Sequence, residues 1–283
     1  MISKIWSPPP ELTVSEWSDK NRVLSPESSS EAGIWRTSRA PYQQGIMDAV
    51  NDHKIDTIVF MKSAQVGATE ILNNIVAYYI DQDPSPILVL QPTLQMAQAW
   101  SKDRLANMIR DCDALRKKVK DPRSKDSSNT VLSKQFPGGN INIVGSNSAA
   151  GLASRPIRIL LCDEVDRYEA SAGTEGDPIS LATKRTTTFW NRKIFITSTP
   201  TIKGISRIEK AFEDSDQRHY HVPCPYCAEY QTLEWEYLKW EEGKPETAEY
   251  HCKFCEKVIP EESKQSILNK GVWVAKEDTK KTL

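Results

Sequence analysis

Apolar residues in this chain gather into short unbroken runs, and each run ends in small or polar residues. Ile58-Val59-Phe60-Met61, Ile87-Leu88-Val89-Leu90, Ile159-Leu160-Leu161-Cys162 and Ile194-Phe195-Ile196 have this form. Unbroken rather than alternating hydrophobicity marks a strand covered on both faces, as in a parallel sheet. Between the runs the spacing changes. Ile71, Leu72, Ile75, Val76 and Tyr79 recur at helical intervals and predict a helix over 68–80. A proline and a threonine open a longer helix over 93–110. Shorter helices are expected over 45–51, 177–190 and 204–212, and a hairpin joins 131–136 to 140–144 through Pro137-Gly138-Gly139. This alternation predicts an α/β fold on a doubly wound, mostly parallel sheet.

The residues just beyond each run carry the chemistry. After Met61 comes Lys62-Ser63-Ala64-Gln65-Val66-Gly67-Ala68-Thr69, a loop of mostly small residues that feeds the 68–80 helix. Free backbone N–H groups and the positive end of a helix dipole favour phosphate at such a junction. Gly67 lets the backbone approach closely, and Thr69 offers a hydroxyl to Mg²⁺. The stretch departs from the usual phosphate-loop pattern, because Lys62 stands where the first glycine belongs and Ala68 where the lysine belongs. A lysine stem is long and flexible enough for Lys62 to reach back over a bound phosphate. The run ending at Cys162 leads into Asp163 and Glu164. At the C-terminal end of a strand, Asp163 suits Mg²⁺ and Glu164 suits orientation of an attacking water, although a solvated acidic turn reads the same way in isolation. Ser198-Thr199-Pro200 closes the last run, either as a plain turn or as a polar sensor of the γ-phosphate.

In this order KSAQVGAT, LLCDE and ITSTP, with CPYC and CKFC downstream, resemble the ATPase portion of the large terminase subunit of lambda-like tailed phages. The resemblance extends over nearly the whole chain. It implies a P-loop NTPase that hydrolyses ATP with Mg²⁺ and couples hydrolysis to translocation of double-stranded DNA into a procapsid. Implied partners are double-stranded DNA, the small terminase subunit, the portal protein and further copies of the chain in the motor. By the same resemblance residues 62–69 hold the nucleotide, Lys62 and Glu164 are catalytic, and Ser198 and Thr199 couple hydrolysis to movement. In Arg39-Ala40-Pro41-Tyr42-Gln43-Gln44, Tyr42 would stack on adenine and Gln43 would hydrogen-bond its edge. The plainer alternative is an aromatic packed at a helix start. Arg155 would complete a neighbouring subunit's site, or else bond local carbonyls. Large terminase subunits continue into a nuclease domain. Nuclease activity is not expected here, because the carboxylates beyond the cysteines (Glu256, Glu261, Glu262, Glu277 and Asp278) lack a strand framework.

Charge changes this picture little. Lys and Arg number 37 against 38 Asp and Glu, a net charge of −1, so any contact with DNA falls to local basic surface. The densest basic run, Arg116-Lys117-Lys118-Val119-Lys120-Asp121-Pro122-Arg123-Ser124-Lys125, is either a solvated loop or a phosphate contact. No apolar run is long enough to span a bilayer and the N-terminus lacks a signal-peptide core, which predicts a protein of the host cytoplasm with reduced thiols and no membrane partner. Of six cysteines, Cys112 and Cys162 stand alone as packing residues, whereas Cys224, Cys227, Cys252 and Cys255 form two CxxC pairs suited to structural Zn²⁺. His219, His221 and His251 lie close by, but four thiolates already complete a tetrahedral shell. Tyr230, Trp235, Tyr237 and Trp240 are expected to pack around the metal ribbon. The chain thus divides into an extended arm (1–40), a P-loop ATPase domain (41–218) and a zinc-ribbon-like appendage with a tail (219–283). Two other readings remain: a helicase-like DNA translocase sharing the core, and a non-catalytic DNA-binding zinc-ribbon adaptor whose Ala68 marks a dead nucleotide loop.

Overall fold

The computed structural model describes residues 11–27, 29, 31–120, 129–153 and 155–276. Its N-terminal part holds α1 (Val14–Asn21), the short ladder of β1 (Val23–Leu24) with β2 (Gly33–Ile34), and α2 (Tyr42–Asp48). The central part runs β3 (Thr57–Met61), α3 (Ala68–Asp81), β4 (Pro86–Gln91), α4 (Leu94–Ala99), α5 (Ala106–Asp111) and α6 (Asp113–Arg116). It continues through β5 (Ser133–Phe136), β6 (Gly139–Gly145), α7 (Ala149–Ala153), β7 (Ile159–Asp163), α8 (Pro178–Thr183), β8 (Lys193–Ser198) and α9 (Arg207–Glu213). A C-terminal module completes the chain, with β9 (His219–Pro223), β10 (Tyr230–Gln231), β11 (Leu238–Glu241), β12 (Lys244–His251), β13 (Val258–Ile259), α10 (Lys264–Asn269) and β14 (Val272–Val274).

The central sheet has the order β3-β8-β7-β4-β6-β5. Its first five strands are mutually parallel and β5 pairs antiparallel with β6, closing one edge. Alternate residues of each strand feed opposite faces. Val89 and Phe195 join one buried cluster with Ile71, Leu72 and Ile75 of α3, while Leu88, Leu90, Ile194 and Ile196 join the other. Two covered faces are what unbroken apolar runs require, since neither parity of a strand meets water. In register, Met61 lies opposite Ser198 and Asp163 opposite Thr197, so the ends of β3, β7 and β8 align and the loops beyond them start side by side. Cys112 and Cys162 are fully buried, as packing residues should be, and burial pushes the Cys162 thiol far above its usual range.

Helix bounds differ from expectation at several places, α9 starting at Arg207 rather than at residue 204. The helical stretch from Leu94 to Asp111 is interrupted by a π-helical turn over Trp100–Leu105. There the Trp100 indole donates to Asn73 Oδ1 of α3 at 3.0 Å. The extra residue in that turn is a device that helices use when a large side chain must be turned toward a neighbour. α8 stops at Thr183, where a single 3₁₀ turn replaces the expected continuation to residue 190. The Thr186 and Thr187 hydroxyls bond back to the carbonyls of Thr183 and Lys184, competing with the helical ladder. α2 begins at Tyr42 rather than Gly45.

The extended arm expected over 1–40 needs correction, because residues 14–21 form a helix. Thr13 Oγ1 caps α1 by accepting from the Glu16 N–H, and the Thr13 N–H donates in return to the Glu16 carboxylate, a complete capping box whose loss typically costs about 1 kcal/mol. Val14 and Trp17 are fully buried, and the Trp17 indole donates to Asp81 at 2.8 Å. Composition pointed to an arm because proline, serine and charge surround this helix; the Thr13-x-x-Glu16 signature was the missed signal. In the C-terminal module, Trp235 and Trp240 are 75% and 46% exposed and meet edge to face at 5.7 Å, so they stack on each other rather than on the cysteine ribbon. The second half of the basic run, 121–125, lies outside the described residues; before it, Arg116 pairs with Asp113. Among the described residues no helix is long and apolar enough to cross a membrane.

Candidate nucleotide site

Three loops meet at the C-terminal edge of the sheet. In the first, Gln65 and Gly67 take left-handed backbone angles, φ 64° and 80°, and α3 starts at the next residue. Gly67 has a steric reason, since a Cβ there would collide with Gln43 Nε2. Ser63, Ala64 and Gln65 line the open side, Val66 and Thr69 are half-buried, and Ala68 packs into the core. The turn at Tyr42 and Gln43 lies against this loop. The Tyr42 hydroxyl donates to the Val66 carbonyl at 3.1 Å and Gln43 Nε2 donates to the same oxygen at 3.0 Å. Gln43 Oε1 is buried and accepts no hydrogen bond.

Lys62 closes the gap between the loops. Its Nζ donates to Glu164 Oε1 at 2.8 Å and to Thr199 Oγ1 at 3.1 Å, with the lysine side chain only 8% exposed. Its backbone N–H donates to the Ser198 carbonyl, continuing the β3–β8 ladder by one bond. Glu164 sits at φ 53°, a left-handed angle uncommon outside glycine, which turns its carboxylate back toward the lysine. Asp163 precedes it at the end of β7, almost wholly buried. Gln91 of β4 reaches its Oδ2 at 3.4 Å, and its Oδ1 has no hydrogen-bond partner. Burial pushes the Asp163 carboxyl up to about 6; Glu164 adds to the rise, while the Gln91 bond and the Lys62 charge oppose it. A buried carboxylate with a free oxygen is a poor structural element and a good cation ligand.

Asp166 joins the second and third loops, a link that sequence reading missed. Its backbone N–H donates to Ser198 Oγ at 3.2 Å. Its carboxylate accepts from the Thr201 N–H at 2.9 Å, the Thr201 hydroxyl at 3.0 Å and the Ile208 N–H of α9 at 2.9 Å. Burial alone would raise its carboxyl, but these donors together outweigh it and hold the group below the usual range. Arg207 of α9 fixes the same turn through the Tyr168 and Val165 carbonyls.

A family profile described as "Phage terminase large subunit gpA, ATPase domain" matches residues 29–273. The chain belongs to this family. It is 34% identical to the terminase large subunit of Enterobacteria phage P21 over 253 residues, covering 86% of this chain and 39% of that one. To the terminase large subunit of Escherichia phage lambda it is 30% identical over 260 residues, covering 89% of this chain and 40% of that one. The chain therefore spans about two fifths of the length of these relatives. The crystal structure of the HK97 bacteriophage large terminase shares the fold, with a TM-score of 0.57 at 13% identity over 72% of this chain and 41% of that one.

Two further groups of this terminase ATPase domain lie outside the cluster of loops. Arg155 is exposed and reaches Asn142 Oδ1 of β6 at 3.4 Å. In the sheet β6 is separated from β3 by β8, β7 and β4, so the arginine is not gathered with Lys62 and Glu164. The four cysteines do come together, their Sγ atoms all within 4.8 Å of one another. Cys224 and Cys255 stand 3.7 Å apart, and Cys227 and Cys252 3.8 Å. Zn–S bonds of about 2.3 Å give tetrahedral sulfur edges of about 3.8 Å, so the cluster fits the ion. The two turns are alike: Tyr226 N–H and Phe254 N–H each point at the first sulfur of their pair at 3.4 Å, and Ala228 and Glu256 each turn left-handed after the second. Gln231 Nε2 adds a second donor to Cys252 at 3.4 Å. The three histidines are not part of the cluster.

Proposed function

We propose that this terminase ATPase domain hydrolyses ATP at the junction of the three loops and drives translocation of double-stranded DNA into a procapsid. The observation that carries the reading is the convergence of Lys62, Glu164 and Thr199 beside a buried Asp163 oxygen with no partner. Residues 63–69 would wrap the phosphates with backbone N–H groups, and Lys62 would leave Glu164 for the phosphate oxygens. Glu164, released, would accept a hydrogen bond from the attacking water and hold it in line. Asp163 and Thr69 would hold Mg²⁺, which supplies charge neutralisation on the phosphates when bound. Tyr42 and Gln43 would recognise adenine. The Gln43 Oε1 acceptor without a partner suits an exocyclic amine, and the half-buried Tyr42 ring suits stacking. Loss of the γ-phosphate would release Lys62 to Thr199, and the Ser198–Asp166–Ile208 bonds would pass that change to α9.

Cys224, Cys227, Cys252 and Cys255 are assigned to one structural Zn²⁺, which would hold two turns around a small core of Val222, Ile259 and Ile267. The partners proposed for it are double-stranded DNA, the small terminase subunit, the portal protein and other copies of the motor, and the exposed Arg155 would reach a neighbour's site. A helicase-like translocase would share the ATP site, and portal-dependent packaging separates it from a terminase. A nucleotide-free adaptor is disfavoured by the buried Lys62–Glu164 pair, which such a protein has no use for. The deciding experiment is Mg²⁺-dependent ATP binding with single-turnover hydrolysis. The parent should bind and hydrolyse, and Glu164→Gln should bind and fail to hydrolyse. A parent that binds no ATP overturns the proposal.

A further inference from the structure

The turn at Tyr42 and Gln43, whose side chains reach the Val66 carbonyl, is gripped through its backbone by the C-terminal module. Trp273 lies on β14, which pairs with β9 so that Trp273 faces Tyr220. Its indole Nε1 donates to the Tyr42 carbonyl at 2.9 Å. The Tyr220 ring lies between, 5.3 Å from the indole and 6.1 Å, edge to face, from the Tyr42 ring. Gly45, one turn along α2, makes room for the indole: a Cβ there would stand 2.7 Å from Trp273 Cδ1 and 3.1 Å from Nε1. Glycine is a poor choice in a short helix, so its presence at this contact favours close approach over helix strength. Upstream, Gln265 Nε2 of α10 donates to the Ser38 carbonyl at 2.6 Å, a second anchor of the module on the same segment.

We propose that Trp273 is a positioning residue through which the C-terminal module braces the phosphate loop. Both polar side chains of the gripped turn end on that loop, at the Val66 carbonyl, and Gln43 fills the space where Gly67 has no side chain. Fixing Tyr42 through its backbone therefore fixes the peptide before Gly67, whose left-handed angle aims the first N–H groups of α3. A loop ordered in advance loses less freedom when phosphate binds, so the module raises affinity without touching the ligand. The inference rests on the proposed nucleotide site for its consequence, though not for the brace itself.

The test compares Trp273→Ala, Trp273→Phe and Gly45→Ala with the parent in two measurements. The first is affinity for Mg²⁺-ATP and for Mg²⁺-tripolyphosphate, which has no base. Trp273→Ala should weaken both by the same factor, about tenfold. Trp273→Phe keeps a ring but drops the N–H and should weaken both less, while Gly45→Ala, which pushes the indole out from the opposite side, should match Trp273→Ala. The second is amide hydrogen exchange, where peptides over 62–69 should exchange faster with β4 and β7 unchanged. Loss of ATP affinity with tripolyphosphate affinity kept would assign the turn to the base alone and overturn the brace. So would unchanged exchange in the loop, or a rise spread through the sheet. If the parent binds neither ligand, the nucleotide reading fails, and exchange in 62–69 still decides the brace.

Discussion

Lys62 and Glu164, 102 residues apart in the chain, hold one another at 2.8 Å with side chains 8% and 20% exposed. The pair is largely out of water, so each charge depends on the other: removing one partner of such a pair leaves the other uncompensated, typically at about 3–5 kcal/mol. In the proposed site, phosphate would compete with Glu164 for the lysine. Lys62→Ala is therefore expected to lower both ATP affinity and turnover, and to destabilise the nucleotide-free fold as well. Glu164→Gln should bind ATP at least as tightly as the parent while single-turnover hydrolysis falls by roughly a hundredfold or more. Nucleotide titration and quenched-flow hydrolysis measure the two separately. Parental hydrolysis by Glu164→Gln would remove it from catalysis.

Asp163 gives a pH dependence of the less usual sign. Its folded carboxyl is raised to about 6, above the ordinary value, chiefly by burial. Ionising it costs more in the fold than in the unfolded chain, so its contribution to stability falls as pH rises from about 4 to about 6 and stays low above that. Asp163→Asn should stabilise the metal-free protein at pH 7.5 by on the order of 1–3 kcal/mol, with the advantage fading below pH about 4. Denaturant melts at pH 4 and 7.5 check this. A variant less stable than the parent at pH 7.5 would mean the carboxylate is already compensated.

Asp166 should behave oppositely, because against the effect of burial its folded carboxyl is held down by the Ile208 and Thr201 donors. Its contribution is present above the usual carboxylate range and is lost as pH falls through the lowered value. Asp166→Asn presents an NH₂ to at least one of these N–H donors. ATP binding should persist, whereas turnover should fall about tenfold because Ser198 and α9 lose their common fastening. Equal loss of binding and turnover would mean that the residue only supports the fold.

One Zn²⁺ per chain is expected by elemental analysis of protein purified without chelator. Cys252→Ser should abolish it and lower the melting temperature, since the small core of Val222, Ile259 and Ile267 has little else to hold it. Intact zinc content in Cys252→Ser would point to a different ligand set.

Strands β4, β7 and β8 were legible because they are buried on both faces, so that burial and sequence pattern coincide, as in the five wholly buried residues of β7. The loop at 62–67 was legible as a strand-to-helix junction, from the apolar run before it and the helical spacing after it, and it does join β3 to α3. Sequence alone could not show that Lys62 points at Glu164, because that depends on the register of β3, β8 and β7. Nor could it show Asp166 as a fastening or Trp273 as a brace, since both act through backbone groups that no motif records. α1 was overlooked although Thr13 and Glu16 announced it, a case of composition outweighing a local cap.

The strand order has a consequence for the newborn chain. β8 is the last strand of the central sheet to be synthesised, yet it lies between β3, the first, and β7. Until residue 198 has left the ribosome, β3 has no parallel partner in that sheet, and its loop has no wall to lean on. Contacts such as Lys62 to Thr199, 137 residues apart, close late, after a long search and with the flank of β7 exposed to wrong partners meanwhile. The last strand to arrive is thus the one that turns the two halves of the sheet into a single machine, and slow insertion of β8 should set the pace of folding.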